Sequence, residues 1–252
     1  MELVDFLDLE SGVRNSVWVR IPPLVPINYK GVICLIYNAR YWNTKYSKKP
    51  IIYKCRTMKN SNVEVEIDVK NFISANDEIL KKYIEKYDLK KETYNETALA
   101  CQKFVVENFK YASDYDNSGV AEYWQFPYET LVNGQTTGVD CEDGMILMAS
   151  LMLNCGIPAY RVRCTCGFVK ASPTAPTNGH AYVTYLADRE ENNQDWVILD
   201  WCYYEDTELT CEEKPLLKNG GYNGCYGEIW FSFNNEYSWS NEEVKLKKRV
   251  NR

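Results

Sequence analysis

The segment from Met145 to Cys155 constrains the fold most, because as a helix it would present apolar side chains on every side. Such a helix cannot face water along its length and therefore lies inside a domain. Asp140 is placed to cap its N-terminus, and Gly156 and Pro158 end it. A chain of 252 residues is long enough to surround a helix of this kind.

Strand-like runs follow this helix along the chain. The loop at 171–179, rich in Ser, Pro, Thr, Asn and Gly, separates the first two runs. The runs lie at 160–166, 180–186 and 196–200. The sequence therefore predicts successive strands C-terminal to the buried helix.

Residues 1–75 predict a β-rich N-terminal region in which we find no chemical motif. Its short β-branched runs lie at 16–21, 31–37, 51–55 and 63–69. Two predicted helices come next: one has an apolar stripe from Ile79 to Tyr87, and a capping box, Thr93 to Glu96, opens the other. We expect a β-rich region at 1–75, a core at 76–240 and a basic tail at 241–252.

Composition and charge limit the classes of function. Hydrophobic residues make up 45% of the chain and charged residues 25%, which is ordinary globular usage and excludes a disordered or coiled-coil protein. The net charge of -6 disfavours nucleic-acid binding. The last twelve residues carry five basic and two acidic side chains. A solvated tail is the preferred interpretation, and a docking segment for an acidic partner is the alternative.

The N-terminus, MELVDFLDLE, has no signal-peptide pattern, and no stretch is apolar enough to span a membrane. We therefore expect a cytoplasmic protein, or one incorporated in a virion, and no membrane partner. The ten cysteines are expected to be reduced and mostly buried, without disulfides. Their spacings do not predict a zinc site.

Cys141 is the candidate nucleophile because it lies at the predicted start of the buried helix. The helix dipole and free N–H groups there stabilise a thiolate, and also the oxyanion formed when a thiolate attacks a carbonyl. The flanking acids Asp140, Glu142 and Asp143 oppose this effect. If the site is competent, the pKa of the thiol falls well below its free value of about 8.5.

His180 is the only histidine in the chain, so any catalytic imidazole must be this one. It begins a predicted strand, and Asp200 ends the next. Adjacent antiparallel strands bring such residues to hydrogen-bond distance, which gives a nucleophile, a base and an orienting carboxylate in the order Cys, His, Asp. A surface or core imidazole without catalytic function is the alternative on spacing alone.

Five short sequence motifs favour the catalytic interpretation of His180. These are WQFPYETL from Trp124, GVDCEDG from Gly138, ASLMLNCGIPA from Ala149, GHAYV from Gly179 and WVILD from Trp196. In this order they resemble the transglutaminase-like superfamily. FVVENFKYASD, from Phe104, is similar to the helix that precedes the nucleophile in that family. The resemblance runs from about Thr93 to Tyr204.

The resemblance implies an α+β papain-like core, in which the nucleophile helix packs on an antiparallel sheet. By position, Cys141 is the nucleophile, His180 the base and Asp200 the residue that orients His180. Trp124 or Gln125 is implied to wall the oxyanion site. We expect no required cofactor, with calcium possible, and a protein or peptide substrate.

The motif around Cys141 is most similar to the corresponding motif of bacterial and phage transglutaminase-like cysteine peptidases. Some exported members bind calcium through carboxylates that flank the cysteine, which makes Asp140 and Glu142 calcium candidates. Helix capping together with complementing the helix dipole is the simpler interpretation of both and is preferred from sequence. Val139 departs from the glycine that commonly precedes the Asp-Cys pair.

Two functions remain open. One is thiol acyl chemistry through a thioester on a peptide or side-chain amide, completed by water or by an amine. The other is a structural component of an assembly, such as a phage particle, that retains the fold. The sequence does not choose between hydrolysis and amine transfer.

Overall fold

The computed structural model describes residues 47–190 and 193–240. The predicted strands at 16–21 and 31–37 and the basic tail at 241–252 lie outside these residues. The first described strands, β1 (Ile52–Cys55) and β2 (Val65–Asp68), form an antiparallel pair. Both coincide with predicted runs. In β2, Val65 and Ile67 are partly buried and Glu66 between them is exposed, but Asp68 is also partly buried, so the predicted alternation does not extend through the whole strand.

Five α-helices lie between β2 and the main sheet: α1 (Glu78–Lys86), α2 (Tyr94–Asn108), α3 (Asp114–Ser118), α4 (Pro127–Thr137) and α5 (Cys141–Asn154). The capping box predicted at the start of α2 is present: the Thr93 hydroxyl accepts from the Glu96 N–H, and the Glu96 carboxylate accepts from the Thr93 N–H. In α1, Asp77 caps the N-terminus and Leu80 and Ile84 are buried, as the apolar stripe predicts.

The main sheet has five antiparallel strands in the order β5-β4-β3-β6-β7. They are β3 (Val162–Lys170), β4 (Thr177–Arg189), β5 (Asn193–Leu199), β6 (Tyr226–Phe233) and β7 (Ser238–Ser240). The predicted loop at 171–179 is shorter than expected, because β4 begins at Thr177 and pairs with β3 as far as Lys170. His180 therefore lies inside β4, and the residues before and after it both pair with β3.

Helix α5 is the centre of the core. Every residue from Glu142 to Met152 is buried, as expected for a helix without a polar face. It packs against β3 and β4 on one side and against α1, α2 and α4 on the other. This packing places the first residue of α5, Cys141, beside the strand that carries His180.

The nine described cysteines are all free thiols. No helix in the described part of the chain is both long and apolar enough to cross a membrane.

Candidate active site

Cys141 lies at the wall of a cavity of about 580 Å³, which is enclosed by the start of α5, the β1–β2 side of the domain and the main sheet. The sheet contributes Cys166, Phe168, Gly179, His180, Ala181, Glu228, Trp230 and Phe231. The opposite side contributes Tyr53, Tyr111, Asp114, Glu122, Trp124, Asp140, Cys141 and Glu142. The structure thus brings the candidate nucleophile and the candidate base to one cavity.

His180 and Asp200 form a buried pair. The distance from His180 Nε2 to Asp200 Oδ2 is 2.6 Å, and the two residues are 3% and 0% exposed. The neighbouring strands β4 and β5 deliver them, since His180 lies within β4 and Asp200 directly follows β5. The Tyr203 ring packs edge-on against the imidazole, with centroids 4.6 Å apart.

Asp200 accepts further hydrogen bonds that keep it charged. The Tyr226 hydroxyl donates to Oδ2 at 2.5 Å, and the N–H groups of Cys202 and Tyr203 donate to Oδ1 at 3.0 and 3.3 Å. Burial acts to raise the pKa of Asp200, but His180, Tyr226 and the Cys202 N–H outweigh it and hold that pKa below its usual value. A charged Asp200 fixes the ring orientation of His180.

The other imidazole nitrogen of His180, Nδ1, is buried and has no hydrogen-bond partner among the described residues. The Cys141 thiol donates instead to Glu142 Oε2 at 3.3 Å. Ala181, the residue after His180 on β4, lines the same cavity as Cys141.

The pKa of the Cys141 thiol is raised well above its usual value, which is opposite to the expectation for a competent site. Burial is the largest cause, followed by the charges of Glu142 and Asp140, while the Ala181 N–H lowers the pKa. The charges of Glu142 and Asp140 therefore act in the same direction as burial.

These acidic residues form a compact cluster. Carboxylate oxygens of Asp114, Asp140 and Asp143 lie within 4.8 Å of one another, and so do the ligand atoms of Asp140, Cys141 and Glu142. Burial and the neighbouring carboxylates raise the pKa of Asp114 to about 7 and that of Asp140 well above its usual value. Burial is the larger cause for both residues, and repulsion from Glu142 and the other carboxylates adds to it.

The structure contradicts the capping role that the sequence favoured for the Asp140 side chain. Asp140 occupies the N-cap position of α5, but its side chain makes no capping hydrogen bond. Within the described residues, one oxygen of Asp140 and one of Asp114 are buried without a partner. Asp143 is satisfied, because its two oxygens accept from the N–H and the Nε2 of Gln125 at 2.8 and 2.6 Å.

Of the two residues expected to wall the oxyanion site, only Trp124 lines the cavity. Gln125 is 1% exposed, its side chain is bound to Asp143, and it does not line the cavity. Trp124 lines the cavity, and its Nε1 is a buried donor without a hydrogen-bond partner in the described part of the chain.

Sequence reasoning missed several residues that support the site. Tyr226 lies in a Gly-rich region that gave no chemical signal. Gln102 Nε2 donates to the Asp200 carbonyl at 2.6 Å, and Trp201 Nε1 donates to the Cys141 carbonyl at 3.1 Å. Asp114 could have been noticed from sequence, because it ends the FVVENFKYASD motif that begins at Phe104.

Comparison with known proteins agrees with this architecture: residues 81–201 match the Transglutaminase-like superfamily. The core of the chain is transglutaminase-like. Its helix-on-antiparallel-sheet arrangement is the expected α+β papain-like fold. A search of curated proteins finds no match.

Solved structures similar to the chain include LapG of Legionella pneumophila. The EGTA-treated form is 21% identical and has a TM-score of 0.44, with 71% of this chain and 94% of that chain covered. The calcium-bound form is 20% identical and has a TM-score of 0.43, with 68% of this chain and 98% of that chain covered. A candidate cysteine protease from Cytophaga hutchinsonii is 17% identical with a TM-score of 0.37, with 70% of this chain and 54% of that chain covered.

Proposed function

We propose that the transglutaminase-like core carries out thiol acyl chemistry on a protein or peptide substrate through Cys141, His180 and Asp200. The observation that carries this proposal is the buried His180–Asp200 pair. Its Nε2 is committed to Asp200 at 2.6 Å, which leaves Nδ1 without a partner among the described residues, in the cavity that also holds Cys141.

In the proposed reaction, the Cys141 sulfur attacks a backbone or side-chain amide carbon, and its proton passes to His180 Nδ1. The tetrahedral intermediate collapses to a thioester, and the C–N bond breaks as the leaving amine takes the proton from Nδ1. Water, deprotonated by Nδ1, or an amine then attacks the thioester and releases Cys141. Asp200 stays ionised and stabilises the imidazolium.

Trp124 is the proposed oxyanion donor. Its indole Nε1–H is buried, lacks an acceptor in the described residues and belongs to a side chain that lines the cavity. Such a donor is satisfied when an oxyanion forms beside the start of α5, where the backbone N–H of Cys141 can supply a second hydrogen bond. Gln125 takes no part, because Asp143 holds its side chain.

Asp114, Asp140 and Glu142 are the proposed calcium ligands. The buried oxygens of Asp114 and Asp140 without partners, in a cluster of oxygen donors, fit a hard divalent cation. When bound, such a cation supplies the positive charge that offsets the carboxylates raising the pKa of Cys141. LapG has been solved in calcium-bound and EGTA-treated forms, a property of that protein which makes calcium the first metal to test here.

Iodoacetamide labelling followed by mass spectrometry tests the proposal. In calcium at pH 7.5, we expect Cys141 to be labelled faster than the other thiols, and His180→Ala to slow this about 10²-fold, the typical contribution of a general base. EGTA slows Cys141 and leaves Cys211 unchanged. Cys211 is the internal control, because none of the proposed calcium ligands is among the charges that shift its pKa. If Cys141 is no faster than the other thiols in calcium and His180→Ala has no effect, the structural alternative replaces the enzymatic one.

A second experiment separates hydrolysis from amine transfer. Casein is incubated with the protein in calcium, with and without a fluorescent primary amine. New peptides indicate hydrolysis, and fluorescence bound to casein indicates amine transfer. Cys141→Ala is the control for both, because it removes the nucleophile alone.

A further inference from the structure

Gln102 is an amide in the apolar face of α2. Ala98 and Val105, four residues before it and three after it, are buried core residues, and Gln102 itself is 0% exposed. Its Oε1 atom has no hydrogen-bond partner among the described residues. A buried polar atom without a partner destabilises a fold, so an apolar side chain of the same length would suit this core position better. The reason for an amide here therefore lies in its nitrogen.

The amide nitrogen of Gln102 makes two short hydrogen bonds to main chain. Nε2 donates to the carbonyl of Asp200 and to that of Glu205, both at 2.6 Å. Because both partners are acceptors, the NH2 group and not the oxygen faces them. The two bonds join the ends of a segment that contains neither helix nor strand, residues 200–205, which we call the Asp200 bend.

The Asp200 bend contacts both the base and the nucleophile of the proposed reaction. Asp200 binds His180 Nε2, and the Tyr203 ring packs edge-on against the same imidazole, with centroids 4.6 Å apart. Trp201 Nε1 donates to the Cys141 carbonyl at 3.1 Å. The position of this one segment therefore affects the alignment of the imidazole and the main chain of the nucleophile.

The two ends of the Asp200 bend are held by different side chains. Lys214 Nζ donates to the carbonyls of Glu205 and Asp206, at 3.4 and 2.7 Å, and so holds the far end. The Asp200 end is bound by Gln102, from a helix that also packs against α5. Two N–H groups of the bend bind Asp200 Oδ1, which ties the carboxylate to the main chain that Gln102 holds. A shift of this end therefore moves the carboxylate with it.

We propose that Gln102 is a positioning residue for the proposed reaction, because its two donors keep the Asp200 bend aligned with His180. This inference rests on the proposed function and adds to it a residue outside the cavity, since Gln102 is not among the described residues that line the cavity. Gln102 therefore acts through Asp200 and not on the substrate. A displacement of about 1 Å at a reacting group can lower a rate about 10²-fold, so a small shift of the bend is measurable.

Iodoacetamide labelling of Cys141 in calcium measures the effect of removing the two donors. Gln102→Met keeps the length of the side chain and fills the same core position without a hydrogen-bond donor. We expect Cys141 in this variant to be alkylated about tenfold more slowly than in the parent, with the midpoint of the pH profile at a higher pH. The midpoint rises because a displaced Asp200 stabilises the imidazolium less, and the imidazolium in turn stabilises the Cys141 thiolate.

A double-mutant cycle with Asp200→Asn separates positioning from a general loss of stability. If Gln102 acts through Asp200, Gln102→Met slows alkylation about tenfold in the parent but about twofold or less in the Asp200→Asn protein, which already lacks the charged carboxylate. Independent effects of the two substitutions would multiply instead.

Asn234→Leu is the matched control. Asn234 is also 0% exposed, and its Nδ2 donates to two main-chain carbonyls, those of Ala159 and Val162, at 2.7 and 2.8 Å. It lies between β6 and β7 and is not among the described residues that line the cavity. We expect both variants to unfold at a lower urea concentration than the parent, and only Gln102→Met to change the rate and pH profile of Cys141. If Gln102→Met does not fold, Gln102→Asn, whose shorter amide cannot reach both carbonyls, takes its place.

Three results overturn the positioning role. The first is a folded Gln102 variant in which Cys141 is alkylated as fast as in the parent. The second is a tenfold loss that persists in the Asp200→Asn protein. The third is an equal loss in Asn234→Leu, which assigns the effect to stability. If Cys141 of the parent is no faster than the other thiols, the proposed function itself fails and the positioning role fails with it, and this result is obtained from the parent alone.

Discussion

Tyr226→Phe removes one hydrogen bond from the buried Asp200 and changes almost nothing else. The lost bond is the 2.5 Å contact from the phenol to Oδ2, the oxygen that also binds His180. The ring is retained, together with its edge contact to Tyr182 at 4.7 Å. The variant therefore isolates one of the interactions that keep Asp200 ionised.

A hydrogen bond to a charged group contributes about 1.5–3 kcal/mol, so we expect the free energy of unfolding at pH 7 to fall by about 2 kcal/mol. For a domain of this size that corresponds to a decrease in Tm of about 4–8 °C. The depressed pKa of Asp200 stabilises the fold above the unfolded value of about 3.9, and this contribution is lost as the pH falls through the folded pKa. Because Tyr226→Phe reduces the depression, the two proteins differ most at neutral pH and converge in acid.

Thermal and urea unfolding from pH 7 down to about pH 2 measure this effect, because the contribution is lost only below the unfolded pKa. The rate of Cys141 alkylation reports the consequence at the site. Tyr182→Phe is the matched control: its hydroxyl is buried and has no hydrogen-bond partner in the described residues, so its removal costs little or stabilises. A Tyr226→Phe protein as stable as the parent at pH 7, or one destabilised no more than Tyr182→Phe, would refute the reasoning.

Two further predictions concern packing around the site and on the sheet. Gly144→Ala, which in an ordinary helix gains about 1 kcal/mol, is expected to destabilise by about 1–3 kcal/mol, because the new Cβ would lie 2.3 Å from the Trp201 ring. Thermal unfolding checks this, and a more stable variant would contradict it. Arg163→Met is expected to lose about 1–2 kcal/mol, since the guanidinium lies 3.7 and 4.2 Å from the ring centroids of Trp196 and Trp239. Urea unfolding measures the loss, and an unchanged midpoint would show that the stacking contributes nothing.

The parts of the fold that local patterns specify could be predicted from sequence. The apolar run after Cys141 required a buried helix, and the capping box at Thr93 located the start of α2. The pairing of His180 with Asp200 followed from their places on consecutive strands. In each case the signal lies within one element or between chain neighbours.

The missed parts depend on contacts between distant elements. Tyr226 reaches Asp200 from β6, which lies at the far side of β3 and β4 in the sheet order, and no spacing rule links the two residues. The direction in which the pKa of Cys141 is shifted could not be decided from sequence, because the helix N-terminus and the flanking acids act in opposite directions. Helix position alone favours a thiolate, whereas the burial of Asp140 and Glu142 beside the sulfur becomes evident only in three dimensions.

The single imidazole of this protein gives it a spectroscopic simplicity. Because His180 is the only histidine, nitrogen-15 labelling of histidine yields one pair of ring resonances, both from the candidate active site. With Nε2 held by Asp200, the chemical shift of Nδ1 alone reports proton transfer from Cys141, binding of a substrate or arrival of calcium nearby. Every step proposed for the cavity can therefore be followed at a single atom, without mutation and without a background signal.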